Sequence, residues 1–388
     1  MSRFRIVFTV LIGLLISPGI SPAQQMFVFF GTHVVGPGKG FSLAKFDEET
    51  GILSPPSFLL QAEAPAFFVL DSAGKHLYTV NSTAPEFQST GEGGMSSYSI
   101  DPKTGALTLL NTKSTNGGDP SYISLDHTEH FALVANYKGG SVIVYRINPD
   151  GSFGDQTAFD QHTGKGTDPT RQSKPFAHSI RVDPTNRFAI CCDLGLDKVF
   201  VYKFDQNTGS LSPNDPPFAT VKAGSGARHS CFSPDRKFLY VDSEMGSIVT
   251  VFAWDSDAGK LTVVQEISTL PPGFTGVSTD AEVLVHPSGK FLYVSNRVAT
   301  GPGSIGVFSI DKDSGKLTWM QDISTQGKTP RNFAIDPTGR WLLVTNHDSN
   351  NGLVYRIDSD TGKLSPVGSP ISIPYPFCER FLPVGNAD

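Results

Sequence analysis

The sequence has 388 residues, 18% of them charged, and a formal net charge of −6. This length allows two or three ordinary domains, and the slightly acidic balance argues against a basic surface for nucleic acid. The 39 Gly and 28 Pro residues alternate with short apolar segments, which is typical of a turn-rich all-β protein.

The N-terminal segment has the features of a secretory signal peptide. Two arginines, at positions 3 and 5, precede an apolar run that ends at Ile16, and Ser21-Pro22-Ala23 offers small residues for cleavage. The run is too short to span a bilayer. We therefore predict that residues 1–23 are a signal peptide and that residues 24–388 form one exported domain, periplasmic or secreted and free of the membrane.

Two sequence motifs recur along the chain. The first is Asp-x-x-x-Gly-x-Leu or a close variant, and its glycines are Gly51, Gly105, Gly151, Gly209, Gly259, Gly315 and Gly362. Their mean spacing is about 52 residues, which is typical of propeller repeats. The second resembles Asp-Pro-x-Gly-Lys-Phe-Leu-Tyr-Val-x-Asn, with copies at Asp71–Asn81, Asp126–Asn136, Asp183–Asp193, Ser233–Ser243, His286–Asn296 and Asp336–Asn346.

Each motif combines residues typical of a turn with a run of β-branched and aromatic residues, and further short apolar segments lie before and after it. Four short antiparallel strands per unit make one propeller blade. The sequence therefore predicts an all-β fold, a seven-bladed β-propeller.

The ends of the chain predict how the ring closes. Met26–Phe30 and Phe41–Phe46 match the second and third strands of a blade whose first strand is missing. Phe377–Leu382 is a candidate for that strand. We expect both termini to share one blade, which protects the edges of the ring.

Alignment of the repeats identifies two positions on the face with variable loops, one at the start of the innermost strand and one after the second strand. Together with the residues that follow the first position, they collect His178, Arg228, His229, Glu244, Glu282, Arg297, Arg331 and His347. Convergent polar residues at a channel mouth indicate a ligand site. Arginine pairs favour a carboxylate or phosphate, and a histidine with a glutamate can transfer protons.

The four cysteines do not indicate a metal site. They are Cys191, Cys192, Cys231 and Cys378, and no pair has metal-ligand spacing. We expect buried thiols, with one disulfide left open as an alternative. We expect neither a metal ion nor an organic cofactor.

Several motifs resemble the lactonase family of seven-bladed propellers, which includes cycloisomerase-type 6-phosphogluconolactonases and the carboxymuconate-lactonising enzymes of fungi. The motifs are Val134-Ala135-Asn136-Tyr137, Arg171-Gln172, Pro175-Phe176-Ala177-His178-Ser179, Gly226-Ala227-Arg228-His229, Ala281-Glu282-Val283 and Ser295-Asn296-Arg297. The resemblance implies that the catalytic residues are His178, Arg228, Glu244 and Arg297. The expected substrate-binding residues are His229, Glu282, Arg331, Asn136, Tyr137, Asn296 and His347.

The resemblance implies a hydrolase for a sugar-type or otherwise acidic lactone, and we expect the protein to be a monomer. Arg228 and Arg297, with side chains at least partly exposed, would bind the anionic group, and either Glu244 or His178 would accept a proton from water. Two alternatives stay open: a carboxymuconate-type cycloisomerase, which needs the same groups, and a non-catalytic propeller of the cell envelope that binds a ligand or partner.

The N-terminal features give a first testable prediction. Mass spectrometry of the protein purified from its native host should find a mature chain that begins at Gln24, because the small residues before it fit the cleavage site. A cytosolic chain that still begins at Met1 would contradict the export prediction.

Overall fold

The computed structural model describes residues 25–34, 36, 38–82 and 91–384. These residues form β-strands and turns, with no helix among them that could cross a membrane. The predicted signal peptide lies outside the described residues, so its cleavage stays a prediction.

The described residues form 29 strands. In chain order they are β1 (Gln25–Thr32), β2 (Gly40–Asp47), β3 (Ile52–Leu53), β4 (Ser57–Gln61), β5 (Pro65–Leu70), β6 (His76–Asn81), β7 (Gly94–Ile100), β8 (Leu107–Ser114), β9 (Pro120–Leu125), β10 (Phe131–Asn136), β11 (Ser141–Ile147), β12 (Phe153–Gln161), β13 (Ala177–Val182), β14 (Phe188–Asp193), β15 (Lys198–Phe204), β16 (Leu211–Thr220), β17 (Ala227–Phe232), β18 (Phe238–Ser243), β19 (Ile248–Asp255), β20 (Lys260–Ser268), β21 (Ser278–Val285), β22 (Phe291–Val298), β23 (Ser304–Ile310), β24 (Leu317–Ser324), β25 (Pro330–Ile335), β26 (Trp341–Asn346), β27 (Asn351–Ile357), β28 (Leu364–Ser372) and β29 (Pro376–Pro383).

The strands form seven antiparallel sheets. Six sheets consist of four consecutive strands each, from β5–β8 to β25–β28. The first strands of neighbouring sheets contact one another around a closed ring. The predicted seven-bladed propeller is therefore confirmed.

The seventh blade joins the two ends of the chain. Its strand order is β29-β1-β2-β3, and β4 also pairs with β2, so the outer strand is split in two. In the closing pair, Val28 lies opposite Phe381 and Phe30 opposite Glu379. The predicted pairing of Phe377–Leu382 with Met26–Phe30 is confirmed.

The repeated glycines occupy the turn between the third and fourth strands of each blade. Gly362 has a φ of 69°, in the left-handed region, and its N–H donates to the Asp358 carbonyl at 2.7 Å. A Cβ on Gly362 would lie 2.4 Å from the ring of Phe291 in the preceding blade. Glycine is therefore needed twice here, for the turn and for the close contact between blades.

The core lies between the blades, around the second strand of each sheet. Every residue of Phe131–Asn136 is buried, for example, because both faces of this strand pack against other strands. The four cysteines are also buried and carry free thiols. This confirms that they act as small core residues.

Ring closure gives the second testable prediction. Deletion of residues 376–388 removes β29 and leaves β1 with an unpaired edge, and it separates the inner strands β5 and β25. We expect the truncated protein to lose its cooperative thermal transition, as measured by circular dichroism. The control is a chain that ends at Val384, just past β29, whose melting temperature should match that of the full chain. If the protein that lacks residues 376–388 still melts cooperatively at the melting temperature of the full chain, this role of β29 is wrong.

Candidate active site

A cavity of about 410 Å³ opens where the innermost strands begin, on the face that carries the variable loops. Its lining residues are His33, Ala66, Phe67, Ser82, Asp119, Ser121, Tyr137, Arg171, His178, Arg228, His229, Glu244, Arg297, Arg331, Asn332 and Phe377. The four residues expected to be catalytic lie together here, because repeat-equivalent positions of consecutive blades converge on one channel mouth.

Glu244 binds three guanidinium groups. It follows β18 directly, and its Oε2 lies 3.1 Å from Arg228 Nε and 3.0 Å from Arg297 Nη2. Its Oε1 lies 2.6 Å from Nη2 of Arg171, which belongs to the loop before β13. One carboxylate thus joins three arginines from separate parts of the chain.

This arrangement fixes the ionisation of Glu244. Burial alone would favour the protonated acid, but the charges of Arg297 and Arg228 and the hydrogen bond from Arg171 hold the pKa of this carboxyl well below its usual range. Glu244 is therefore an anion at neutral pH, and its proton affinity is very low.

The arginines retain unused hydrogen-bond donors. Within the described part of the chain, Arg228 Nη1, Arg297 Nε and Arg331 Nε are buried without a hydrogen-bond partner. Arg331 lies over the Phe377 ring, with 4.2 Å between the guanidinium carbon and the ring centroid. Buried donors of this kind indicate the position of an anionic ligand.

Glu244 and Asp119 attract the charge of Arg331 only through space. Its guanidinium makes no ion pair with any described residue. Burial and the nearby cations of Arg228 and Arg297 lower the pKa of Arg331 to about 9. The side chain is still protonated at neutral pH, so a bound anion would relieve the repulsion.

Two imidazoles also line the cavity. The ring centroids of His178 and His229 lie 5.1 Å apart in an edge-to-face arrangement. Burial, followed by the charge of Arg228, lowers the pKa of both histidines well below the usual value. Both rings are therefore neutral at physiological pH and can accept a proton.

Four of the residues expected to bind substrate do not line the cavity. Glu282 lies behind His229, with its Oε1 3.1 Å from His229 Nδ1. His347 packs edge-to-face against Phe377, with 5.3 Å between ring centroids, and pairs with Asp348. The remaining two are Asn136 and Asn296.

Asn136 and Asn296 have structural roles. Asn136 Nδ2 donates to the carbonyl of Thr115 at 2.9 Å, and Asn296 Nδ2 donates to that of Thr269 at 3.2 Å. Both acceptors lie in the connection from the preceding blade. Both amides are buried between strands and join neighbouring blades, which gives no support to the expectation that they bind substrate.

The expectation that both arginines are at least partly exposed is wrong for Arg228 and holds for Arg297. The Arg228 side chain is only 2% exposed and that of Arg297 13% exposed, because both turn inward to pair with Glu244. Arg171 was not among the expected site residues. It belongs to a loop outside the repeated pattern, and only its place in a family motif pointed to it.

The chemistry of the site is that of cations and imidazoles. The described residues contain no cluster of three or more His, Cys, Asp or Glu side chains suited to a metal ion. Asp119, the other carboxylate in the cavity wall, pairs with Lys138 at 3.2 Å. The arrangement can bind an anion, offset negative charge on an oxygen and accept a proton.

Comparison with known proteins gives a consistent result. The family described as "Lactonase, 7-bladed beta-propeller" matches residues 27–381. A 6-phosphogluconolactonase of Bacillus subtilis is 33% identical over 354 residues, which are 91% of this chain and 97% of that protein.

Solved structures agree with this match. A periplasmic gluconolactonase of Pseudomonas aeruginosa superposes with a TM-score of 0.86 at 30% identity, over 93% of this chain and all of the other. A putative 6-phosphogluconolactonase of Bacteroides fragilis gives a TM-score of 0.84 at 30% identity, over 94% of this chain and all of the other. The chain therefore belongs to the lactonase family of seven-bladed β-propellers.

Proposed function

We propose that this protein is an exported lactonase that hydrolyses a sugar-type lactone with a phosphate or carboxylate group. The observation that carries the proposal is the charge of the cavity. Arg171, Arg228, Arg297 and Arg331 line it, and among the described carboxylates of the cavity only Glu244 pairs with arginines. An anionic substrate would balance this excess of positive charge.

The relatives support the reaction and the compartment. Their names include 6-phosphogluconolactonase and periplasmic gluconolactonase, both lactone-cleaving activities. Export is supported by the N-terminal sequence features and by the periplasmic neighbour. The cation excess favours an acidic lactone over a neutral one.

The arginines would bind the anionic group and stabilise the reaction. Arg331 and the free Nη1 of Arg228 offer donors for a phosphate or carboxylate. Arg297 Nε offers another donor, for the oxygen that becomes negative when water adds to the lactone carbonyl. Because the Glu244 ion pairs hold two of these groups in place, little reorganisation is needed when charge develops.

A neutral imidazole is a better proton acceptor in this site than Glu244. Three guanidinium groups stabilise the Glu244 anion, so a proton on that carboxylate is strongly disfavoured. We therefore propose that Glu244 positions the arginines and that an imidazole of His178 or His229 accepts the proton from water.

A lactone panel tests the proposed function. Proton release should be measured with a phosphorylated, a carboxylated and a neutral sugar lactone, each corrected for spontaneous hydrolysis. We expect the highest kcat/KM for an anionic lactone. Absence of hydrolysis above background for all three would contradict the proposed function.

The third testable prediction concerns Arg331→Gln. Loss of one charge-assisted contact, about 1.5–3 kcal/mol, should raise KM for the anionic lactone about tenfold to a hundredfold. KM for a neutral lactone should change little. The control is Arg187→Gln, an exposed arginine outside the cavity, which should leave both KM values unchanged. An equal rise for both lactones would remove Arg331 from anion recognition.

The fourth testable prediction concerns Glu244→Gln. The change leaves buried guanidinium groups without their counter-ion and should lower the free energy of unfolding at pH 7 by about 3–5 kcal/mol. Urea denaturation measures it, with Asp257→Asn as control, since Asp257 pairs with Arg187 on the surface.

The same comparison has a defined pH dependence. Because folding depresses the Glu244 pKa, its stabilisation is present above the ordinary glutamate pKa of 4.5 and is lost as the pH falls toward the folded value. The difference between wild type and Glu244→Gln should therefore shrink in acid. A difference that is small at pH 7 would mean that the ion pairs contribute little.

A further inference from the structure

His229 is the cavity imidazole that has a carboxylate behind it. The residue belongs to β17, and its Nδ1 lies 3.1 Å from Glu282 Oε1 on β21. Its Nε2 is buried and has no hydrogen-bond partner among the described residues. One ring nitrogen is therefore anchored, and the other is free for a ligand.

Glu282 is surrounded by N–H donors. Besides His229 Nδ1, the backbone N–H of Val283 donates to its Oε1 at 3.1 Å, and the Asn332 side-chain amide donates to its Oε2. A carboxylate can accept all three hydrogen bonds. A protonated acid could not, because its own O–H would face one of these donors. Burial raises the pKa of Glu282, but Arg380, Arg228 and Arg181 oppose this rise. The hydrogen bonds favour the anion.

Asn332 is itself held in one orientation. Arg380 Nη1 donates to Asn332 Oδ1 at 2.9 Å, so the amide nitrogen of Asn332 must point to Glu282. The hydrogen-bond network from Arg380 through Asn332 and Glu282 to His229 thus pairs each donor with an acceptor. It places the imidazole proton on Nδ1 and leaves a lone pair on Nε2.

We propose that His229 is the general base of the lactonase reaction and that Glu282 is the residue that positions it. This assignment rests on the proposed function. His229 Nε2 takes a proton from a water molecule while the water oxygen bonds to the lactone carbonyl carbon. The ring carbon–oxygen bond then breaks, and the imidazolium returns the proton to the leaving oxygen, which gives the open hydroxy acid.

His178 lacks the corresponding support. Its Nδ1 is buried without a hydrogen-bond partner in the described structure, and no carboxylate orients the ring. A base whose tautomer is fixed by a third group is the arrangement that activates a nucleophile. His178, with its ring centroid 5.1 Å from that of His229, is placed to orient the water.

The charges around His229 connect substrate binding to basicity. The titratable and charged groups that face or influence its ring are Tyr122, His178, Arg181, Arg228, Arg331, Arg380, Asp242, Glu244 and Glu282. Burial is the largest cause of the low His229 pKa, and the four arginines lower it further. A bound anion offsets the charge of Arg228 and Arg331, so the proton affinity of Nε2 rises when the substrate arrives.

The fifth testable prediction compares His229→Gln, Glu282→Gln and His178→Gln on the lactone that wild type hydrolyses best. We expect His229→Gln to lower kcat about 10²- to 10⁴-fold with KM within about threefold, as for loss of a general base. His178→Gln should have a smaller effect on kcat. Binding of the hydroxy-acid product, measured by calorimetry, shows that each variant keeps its cavity, and His229→Asn replaces any His229→Gln protein that does not bind.

The pH profile separates positioning from a merely structural role. Loss of the Glu282 anion lowers the His229 pKa, so the acid limb of kcat/KM in Glu282→Gln should move to lower pH, with a reduced plateau. In wild type, the acid limb of kcat should lie at higher pH than that of kcat/KM, because the bound anion raises the pKa.

The outcomes separate two failures. If wild type hydrolyses no lactone, the proposed function fails. If wild type is active but His229→Gln keeps more than about a tenth of kcat, or the acid limb stays in place in Glu282→Gln, the assignment of the base is wrong while the function stands. A large loss of kcat in His178→Gln alone would identify His178 as the base.

Discussion

The pairing of β1 with β29 closes the propeller and also builds one side of the cavity. Phe377 on β29 lines the cavity and supports Arg331, and Arg380 on the same strand holds the amide of Asn332 at 2.9 Å. Asn332 in turn bonds to the carboxylate behind His229. The site is therefore complete only when the last strand has docked, so the geometry of the cavity depends directly on ring closure.

The second constraint is electrostatic. Guanidinium groups so close together repel one another, and burial makes this repulsion stronger. Glu244 relieves it by pairing with Arg171, Arg228 and Arg297. Arg331 lies over the face of Phe377, and Glu244 and Asp119 attract its charge without an ion pair among the described residues. A core of uncharged side chains would avoid the free energy that is needed to remove these charges from water. Their retention makes sense for a site whose ligand supplies the missing negative charge.

The fold could be predicted from sequence because its signals are local. Each repeated turn needs a glycine such as Gly362, and each strand carries its own pattern, so blade number and closure follow from counting. The cavity position followed from equivalence of the repeats. The direction of the side chains could not be predicted in this way. Asn136 and Asn296 occupy repeat positions next to the cavity, yet their side chains form hydrogen bonds between blades. Arg171 belongs to a loop outside the repeat and pairs with Glu244 73 residues further along the chain. The burial of Arg228 depends on its ion pair with Glu244, which the repeat pattern does not predict.

In the proposed reaction, the same charges that recognise the substrate also control the base. Before binding, burial and then the arginines keep His229 neutral with a low proton affinity, and Glu282 fixes its tautomer. A lactone with an anionic group offsets those cations and strengthens the base at the moment when water must be deprotonated. A neutral lactone of the same shape does not offset the positive charge of the arginines, so it does not raise the proton affinity of His229. Discrimination between the two substrates is therefore expressed in kcat as well as in KM, since charge recognition and proton transfer share Arg228 and Arg331.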